Sequence, residues 1–519
     1  MIAWRPAARV VACAAVLAAL LLAAAGWSQQ DDEAEALRGL ERAARLLRAI
    51  EEFYVDPVDP EELVESAIRG MLWRLDPHSA YFTPRQTRQL LTEQEGEYYG
   101  IGLTIGIRDG RLTVISPMED SPAARRGIRT GDVVTHVDGE PTGGRDLEIS
   151  ARRMRGPEGT EVTLTIEREG LSRPFEVTLR RTMISLRTVP YAFLLDDAVG
   201  YVRLVRFSRT SSREVAEAID RLQVEGMAGL ILDLRGNPGG DLEQAVAVAD
   251  LFLDEGLIVY TQGATTASRV DFTAGEAGTR WRGELVVLID RGSASGSEVV
   301  AGALQDQDRA ILAGERSWGK GLVQTVFPLA HGAALALTSA RYFTPSGRLI
   351  QRPYVPGSFD RYFDPELEAA DDVMQQARTS LGRIVYGGNG LAPDAVIETP
   401  ELSPLAQEVM LSGVVFDFVT VYLAARPETD AGFRADGEVM ERFRSFVGER
   451  GVEVDPRQWQ NDRDFLAARI TLETVTRLAG AEEGYRAVLP RDRQVQEAIG
   501  LMRQAGELLR RKLAREESG

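Results

Sequence analysis

The spacing of apolar residues changes several times along this chain, and each change marks a different kind of element. Arg5 and Arg9 precede an uncharged apolar run from Val10 to Ala25. From Ala34 to Phe53, Leu37, Leu40, Ala44, Leu47 and Ile50 recur at helical spacing. Pro57 and Pro60 interrupt that pattern; Pro60-Glu61-Glu62 opens a second helix to about Leu75, and Asp76-Pro77-His78-Ser79 closes it with turn chemistry. From Tyr99 to about Arg181 the period shortens to two. Thr104 to Ile107, Leu112 to Ile115, Val133-Val134 and Glu161 to Glu167 read as strands, with Asp109-Gly110 and Asp138-Gly139 as turns. Short helices are predicted after Ser121 and from Asp146 to Met154.

Between about Thr188 and Gly347 strand and helix alternate. Ala198 to Phe207, Gly229 to Leu234 and Leu285 to Ile289 are strand-like, while Ser211 to Gln223 and Leu242 to Phe252 are helical. The turns Arg235-Gly236-Asn237-Pro238-Gly239-Gly240 and Asp290 to Ser297 each follow an apolar strand and precede a helix. In an α/β sheet such turns gather at one end, so these two are expected close together. The stretch from Ile350 to Arg383, acidic and with Pro-bounded turns, reads as a surface insertion. Beyond Pro400 the pattern is helical over Leu405 to Ala424 and Val495 to Leu513, and less clearly over Glu438 to Val447. Leu501, Ala505, Leu508, Leu509 and Leu513 form an apolar face suited to packing or self-assembly.

Composition narrows the function. With 519 residues and 44% hydrophobic content the chain is long enough for about three domains. A net charge of −18 argues against nucleic acid as a partner. The single cysteine, Cys13, excludes an intramolecular disulfide and a cysteine metal cluster, and the three histidines, His78, His136 and His331, have no paired ligands at suitable spacing. The N-terminal apolar run reads as a secretory signal, or as an anchor if uncleaved, which places the mature chain outside the cytoplasm in a periplasm or cell envelope. A membrane is then a partner only through that segment.

Chemistry concentrates between Glu284 and Gln324, where a serine turn is followed by Gly319-Lys320-Gly321 and then Gln324. A serine on a sharp strand-to-helix turn and a lysine in a glycine-flanked loop form a candidate nucleophile and base. Lys320 serves as a base only if neutral, which burial away from carboxylates favours. Gln324 is placed to orient its amine. The amide of Gly296 and that of Gly239 or Gly240 are candidate oxyanion donors. Ser293, Ser295 and Ser297 alternate, so local chemistry leaves the nucleophile open, and Ser297 before Glu298 also suits a helix cap. His78, beside a helix end, suits a cap or hydrogen-bond partner better than a catalytic base.

Two resemblances decide between these options. The segment from Gly100-Ile101-Gly102-Leu103 through SPAARRGIRTGDVVTHVDG resembles a circularly permuted PDZ domain. That implies a loop, Gly100 to Leu103, whose amides hold a peptide's C-terminal carboxylate while the peptide adds a strand to the sheet edge. The segments LDPHSAYFTP, GIGLTI, LILDLRGNPGGDLEQAV, VVLIDRGSASGSEVVAGALQD, GERSWGKGLVQT and RYFTPSGRLIQR, with an echo at Gly390 to Asp394, resemble the carboxyl-terminal processing proteases. These are tail-specific serine peptidases with a Ser-Lys dyad and an inserted PDZ domain. The resemblance implies an α/β core, ClpP/crotonase-like, with an inserted mostly-β PDZ domain and helical N- and C-terminal segments. By motif position it assigns Ser295 as nucleophile, Lys320 as general base, Gln324 as its partner, and Gly240 and Gly296 as the oxyanion hole. Gly296 stands where the family usually has alanine.

The implied organisation is 1–26 signal or anchor, 31–95 helical, 96–182 PDZ domain, 183–400 peptidase core with the insertion at about 350–383, and 401–519 helical. The implied partners are protein substrates with exposed C-terminal tails, with an adaptor and a homo-oligomer left open; no cofactor and no metal is called for. Two other readings fit parts of the sequence. Gly314 to Lys320 fits the first positions of a phosphate-binding loop, but Gly321 replaces the metal-binding hydroxyl and Glu315 opposes phosphate. A non-catalytic PDZ scaffold would be expected to lack Ser295 or Lys320, and both are present.

Overall fold

The computed structural model describes residues 38–39, 41–142, 147–169, 171–195, 198–363 and 375–517. The N-terminal apolar segment and residues 364–374 of the insertion lie outside them. The chain divides into two compact units, Met1–Tyr81 and Phe82–Gly519.

In the first unit, helix α1 (Pro60–Leu72) starts where the side chain of Asp59 accepts the Glu61 N–H and proline occupies the first turn. After it, Asp76 accepts the backbone N–H groups of His78 and Ser79 and the Ser79 hydroxyl. The turn expected there is therefore built by the aspartate.

The second unit opens with α2 (Pro84–Glu95), capped by Thr83 and ended by Gly96 at φ 75°. Strands β1 (Glu97–Gly100), β2 (Leu103–Arg108), β3 (Arg111–Pro117), β4 (Val133–Val137), β5 (Glu161–Glu167), β6 (Phe175–Arg180) and β7 (Thr182–Ser185) follow, with helix α3 (Leu147–Met154) between β4 and β5. One sheet has the order β2-β3-β4-β5-β6, so β2 is an edge strand. A separate ladder, β1 with β7, joins the two ends of this module. Its core collects the alternate residues that the period-two pattern predicts, including Leu112, Val114, Val134, Val162, Leu164 and Ile166, with Met154 of α3.

The α/β part contains β8 (Ala192–Leu194), β9 (Val199–Arg203), α4 (Ser211–Val224), β10 (Gly229–Asp233), α5 (Leu242–Asp250), β11 (Glu255–Gln262), β12 (Arg269–Gly275), β13 (Glu284–Ile289), α6 (Gly296–Asp306), β14 (Ile311–Gly314), β15 (Leu322–Pro328), β16 (Ala334–Phe343) and β17 (Ala395–Val396). The main sheet runs β8-β9-β10-β13-β14-β17, parallel except for β8. A second, antiparallel sheet contains β15-β16-β11-β12. Because β10 and β13 are parallel neighbours, the turns that follow them emerge side by side. Every residue of α6 is buried.

The region after Pro400 is helical, as its pattern predicts: α7 (Pro404–Ser412), α8 (Val414–Ala425), α9 (Gly437–Glu449), α10 (Pro456–Ala479), α11 (Arg493–Gly500) and α12 (Met502–Glu516). Gly413, at φ 71°, splits the helix expected over Leu405 to Ala424. The 24-residue α10 was not anticipated. Its buried face includes Asp462, Thr471 and Thr474, which dilute the apolar stripe, although Asp455-Pro456 is a readable helix start. Ala505 and Leu508 pack with Val495 against Ile231, Val286 and Leu288 on one face of the main sheet. The apolar face read in this tail is thus a packing face at those positions, while Leu513 is exposed.

The helical region also touches the PDZ-type module. Arg108, at the end of edge strand β2, donates to the Ser412 carbonyl at 3.1 Å, and its guanidinium lies 5.1 Å from the centre of the Phe416 ring. A side chain at Gly413 would overlap that guanidinium. A cavity of about 860 Å³ lies between the module and these helices, lined by Met118, Arg129, Arg206, Leu423 and Arg477 among others, and by none of the candidate catalytic residues.

Candidate active site

Ser295 ends the β13 turn and caps α6, with φ 52° and ψ −114°. A serine seldom adopts positive φ, and holding it there costs about 1–3 kcal/mol that the surroundings must supply. This is the sharp strand-to-helix geometry that lifts a nucleophile out of a sheet. Ser297, the alternative cap, lies inside the helix, and its hydroxyl donates to the Asn237 carbonyl at 2.8 Å. Ser293 is buried and donates to the Leu234 carbonyl at 2.8 Å. Ser293 and Ser297 are thus tied to carbonyls that follow β10, while Ser295 stands at the corner.

Backbone and side-chain bonds join the two turns. Ala294 N–H donates to the Asn237 carbonyl at 3.0 Å, and Gly236 N–H donates to Asp290 at 2.7 Å. Asn237 is fully buried; its amide nitrogen donates to the Leu204 carbonyl and its oxygen accepts the Gly239 N–H, each at 2.9 Å. Gly239 has φ 96°, and a Cβ there would lie 2.7 Å from both Ser295 Cβ and Gly296 N. Only glycine fits that approach. The bond to Asn237 commits the Gly239 amide, whereas among the described residues the amides of Gly240 and Gly296 donate no hydrogen bond. Gly240 is exposed and Gly296 is buried against the Phe207 ring.

Lys320 is half-buried in the loop before β15. Gly319 and Gly321 flank it because Arg352, Gln351 and Gly390 pack within about 3 Å of where their side chains would start. Arg352 N–H donates to the Gly319 carbonyl, and Gly321 N–H donates to Gln351 Oε1, each at 2.8 Å. The first part of the stretch read as a surface insertion therefore folds onto the lysine loop, with Ile350, Phe359 and Tyr362 buried. A strand follows Lys320, not the helix that a phosphate-binding loop requires, which removes the nucleotide reading. Gln324 lies on β15, and its amide nitrogen donates to Thr338 Oγ1 of β16 at 3.2 Å. That bond leaves the amide oxygen, the atom assigned to the lysine amine, uncommitted by it.

The buried side chains of Glu298 and Tyr342 join the serine turn to the lysine loop, and neither was singled out in the sequence for this. Glu298 is fully buried. Its Oε2 accepts the N–H groups of Ser295 at 2.8 Å and Lys320 at 2.9 Å; its Oε1 accepts Gly319 N–H at 2.7 Å and the Ser317 hydroxyl at 2.5 Å. Burial pushes its carboxyl up to about 7, against the pull of these donors. The Tyr342 hydroxyl of β16 lies within reach of two carbonyls, that of Ser295 at 3.1 Å and that of Lys320. Burial, with Glu298 adding to it, holds this phenol well above its usual value, so it remains a donor. The Gly390–Asp394 echo has a related task, since Leu391 N–H donates to Ser317 Oγ at 2.7 Å. The spacing Ser295-x-x-Glu298 is a readable signal for the glutamate; nothing local marks Tyr342.

In the PDZ-type module, Gly100 pairs with Thr182 in the β1–β7 ladder, Ile101 and Gly102 form the turn, and Leu103 opens β2. The Gly102 carbonyl accepts Met118 N–H and the Ser121 hydroxyl, and the Ile101 carbonyl accepts Ala123 N–H. Among the described residues the amides of Ile101 and Gly102 donate no hydrogen bond. The exposed edge of β2 starts beside them.

Comparison with known proteins bears on the family of the chain. The model of peptidase family S41 matches residues 198–357, that of the PDZ domain residues 113–168, and that of the activating protease CtpB N-terminal domain residues 20–85. The carboxy-terminal-processing protease of Bartonella bacilliformis is 38% identical over 325 residues, covering 62% of this chain and 74% of the relative. The carboxyl-terminal-processing protease of Synechocystis sp. is 42% identical over 311 residues, covering 58% of this chain and 72% of the relative. The solved photosystem II D1 C-terminal processing protease is 29% identical, covering 70% of this chain and 93% of its own, with a TM-score of 0.35. With that identity over that share of the relatives, and with an S41 peptidase fold carrying a PDZ domain, the chain belongs to the carboxy-terminal-processing proteases, which are serine peptidases.

Proposed function

We propose that the protein is an exported endopeptidase that captures the C-terminal tail of a protein substrate on its PDZ domain and cleaves upstream with a Ser295–Lys320 dyad. The observation that carries this is the shared bracing of the serine turn and the lysine loop by one buried carboxylate, with Ser295 at φ 52°. Neutral Lys320 takes the Ser295 hydroxyl proton as Oγ attacks the scissile carbonyl. The oxyanion is received by the amides of Gly240 and Gly296. Lys320 then passes the proton to the leaving amine, and water, deprotonated by the same lysine, releases the acyl group from Ser295. Gln324 orients the lysine amine through its amide oxygen. The substrate carboxylate is held by the amides of Ile101 and Gly102, and the tail extends along the edge of β2 as an added strand. Export rests on the N-terminal apolar segment, and it places this activity in the periplasm or cell envelope.

Incubation of the purified full chain with a C-terminally tagged protein, followed by mass spectrometry of new C-termini, tests the reading. Ser295→Ala and Lys320→Ala are each expected to abolish cleavage while retaining tail binding. Cleavage by Ser295→Ala at the wild-type rate would sink the proposal; absence of cleavage by the wild type, with tail binding kept, would favour a scaffold.

A further inference from the structure

The turn that carries Gly240 begins at Arg235, and Arg235 is held from the far side of the sheet. Its Nε lies 3.0 Å from both carboxylate oxygens of Asp233 and its Nη2 lies 2.7 Å from Oδ2. Asp233 is fully buried and already accepts from Arg203 Nη1 and from the Tyr201 hydroxyl, each at 2.6 Å. Two guanidiniums therefore share one buried carboxylate, which leaves an excess positive charge and unused donors in a place where both are expensive. The C-terminal tail supplies what is missing. Arg235 Nη1 donates to Gln494 Oε1 at 2.7 Å, and Asp492 Oδ2 lies 3.0 Å from Nη2.

Asp492 is also the N-cap of α11, accepting Val495 N–H at 3.2 Å, and Gln494 is buried, donating from its amide to the Ile397 carbonyl at 2.8 Å. These two side chains are themselves fixed, so the guanidinium is clamped between Asp233 and a rigid helix start. On the backbone side, Arg235 N–H donates to Asp233 Oδ1 at 2.9 Å and its carbonyl accepts from Arg203 Nη2. The strand end that launches the Gly236–Gly240 turn is thereby restrained by side chain and main chain together. Residues 492 and 494 lie outside the segments that match the family models.

We infer that Arg235 is a positioning residue for the oxyanion turn, and that Gln494 and Asp492 of the C-terminal tail hold it in place. The tail thus completes the active site from the face of the sheet opposite α6. This rests on the proposed roles of Ser295 and Gly240.

A fluorophosphonate probe that phosphonylates an activated serine reads the inference directly, because the displaced fluoride leaves from a centre whose oxygen occupies the oxyanion hole. Labelling of the full chain is followed against probe concentration, with melting curves in parallel. Gln494→Ala is expected to lower the limiting labelling rate about tenfold at unchanged probe affinity, as a slightly displaced donor would. Gln494→Glu keeps an acceptor for Arg235 but loses the donor to Ile397, and should label within about threefold of wild type. Arg235→Lys keeps the charge beside Asp233 but not the fork, and should match Gln494→Ala. This second route remains readable if Gln494→Ala fails to fold. Wild-type labelling rates in Gln494→Ala or in Arg235→Lys would overturn the inference, as would Gln494→Glu being as slow as Gln494→Ala, which would assign the effect to the Ile397 contact. An unlabelled wild type would overturn the Ser295 reading and this one with it.

Discussion

Two pairs of backbone amides in this protein have no partner among the described residues, and their surroundings are built differently. Around Gly240 and Gly296 the supports are buried and numerous: Asn237, Ser297, Glu298, Ser317 and Tyr342 each bridge separate segments of the chain. Around Ile101 and Gly102 the supports are fewer, one side chain and one stretch of backbone. Ser121 and the backbone of 118–123 hold the two carbonyls, and the turn opens onto an edge strand. Fixed donors in a buried frame suit charge that appears only in a transition state, because nothing then has to reorganise. A site for a carboxylate present from the start needs only to bind it, and can be lightly braced. If that contrast is right, damage to the first frame should remove turnover, and damage to the second should weaken capture.

The largest effect is expected at Glu298. Glu298→Ala leaves four donors without an acceptor in a buried site, which should destabilise the protein by ~3 kcal/mol or more and lower fluorophosphonate labelling about a thousandfold. pH separates the glutamate's two contributions. All four neighbours donate, so the ionised form fits the site, while burial raises its pKa from the ordinary 4.5 to about 7. The native state therefore binds an extra proton between those values. Stability from this group is fully present below about 4.5 and lost as pH rises through 7, while the geometry that braces Ser295 and Lys320 is lost as pH falls through 7. Relative to Glu298→Gln, wild type should lose up to about 3 kcal/mol between pH 4 and pH 9. Its labelling should fall in acid with one more bound proton than that of the glutamine variant, the difference being Glu298. An unaltered proton count in Glu298→Gln would show that the carboxyl does not titrate with activity.

A smaller and opposite signature is expected at Gly102. It has φ 74°, and a Cβ would lie 2.2 Å from Ser121 Cβ, so Gly102→Ala must shift the turn that presents the two amides. Cleavage of a tailed protein should show KM raised about tenfold or more, with the labelling rate of Ser295 within about twofold of wild type. A variant that labels slowly but still binds a tail peptide would reverse the division of labour drawn above.

How much of this was legible follows from where the supporting bonds run. Strands β2 to β5 and helices α4 to α6 could be read because their own residues alternate or recur at helical spacing. The adjacency of the Gly239-Gly240 and Ser295-Gly296 turns followed from the α/β alternation, since parallel neighbours end on the same side. Choosing among Ser293, Ser295 and Ser297 was beyond local chemistry. The hydroxyls of Ser293 and Ser297 are held by the Leu234 and Asn237 carbonyls, some sixty residues away. Tyr342 and Gln494 were invisible for the same reason, because their partners are distant carbonyls and a distant guanidinium. Helix α10 was missed because it buries threonine and aspartate where a periodic reading expects leucine.

The smallest effect is expected at Gly296, which stands where the family usually has alanine. Its backbone is helical and only its amide enters the proposed mechanism, so an added methyl introduces no positive-φ strain. The methyl would meet the Phe207 ring at 3.1 Å and Ala245 Cβ at 3.3 Å, closer than ordinary contact by a few tenths of an ångström. Phe207 cannot yield without consequence: its N–H donates to the Gly239 carbonyl at 3.0 Å, and its own carbonyl accepts Asp241 N–H, so it straddles the turn that presents Gly240. Two outcomes therefore compete. Replacing glycine at a helical position removes backbone freedom from the unfolded chain and should stabilise by roughly 0.4–1 kcal/mol, whereas crowding Phe207 should displace the Gly240 amide. Gly296→Ala is expected to raise the melting temperature slightly and to slow Ser295 labelling two- to fivefold, and Phe207→Leu in the same background should restore the rate by giving the methyl room. If Gly296→Ala labels at the wild-type rate, the crowded frame tolerates more movement than the comparison with the Gly102 turn allows.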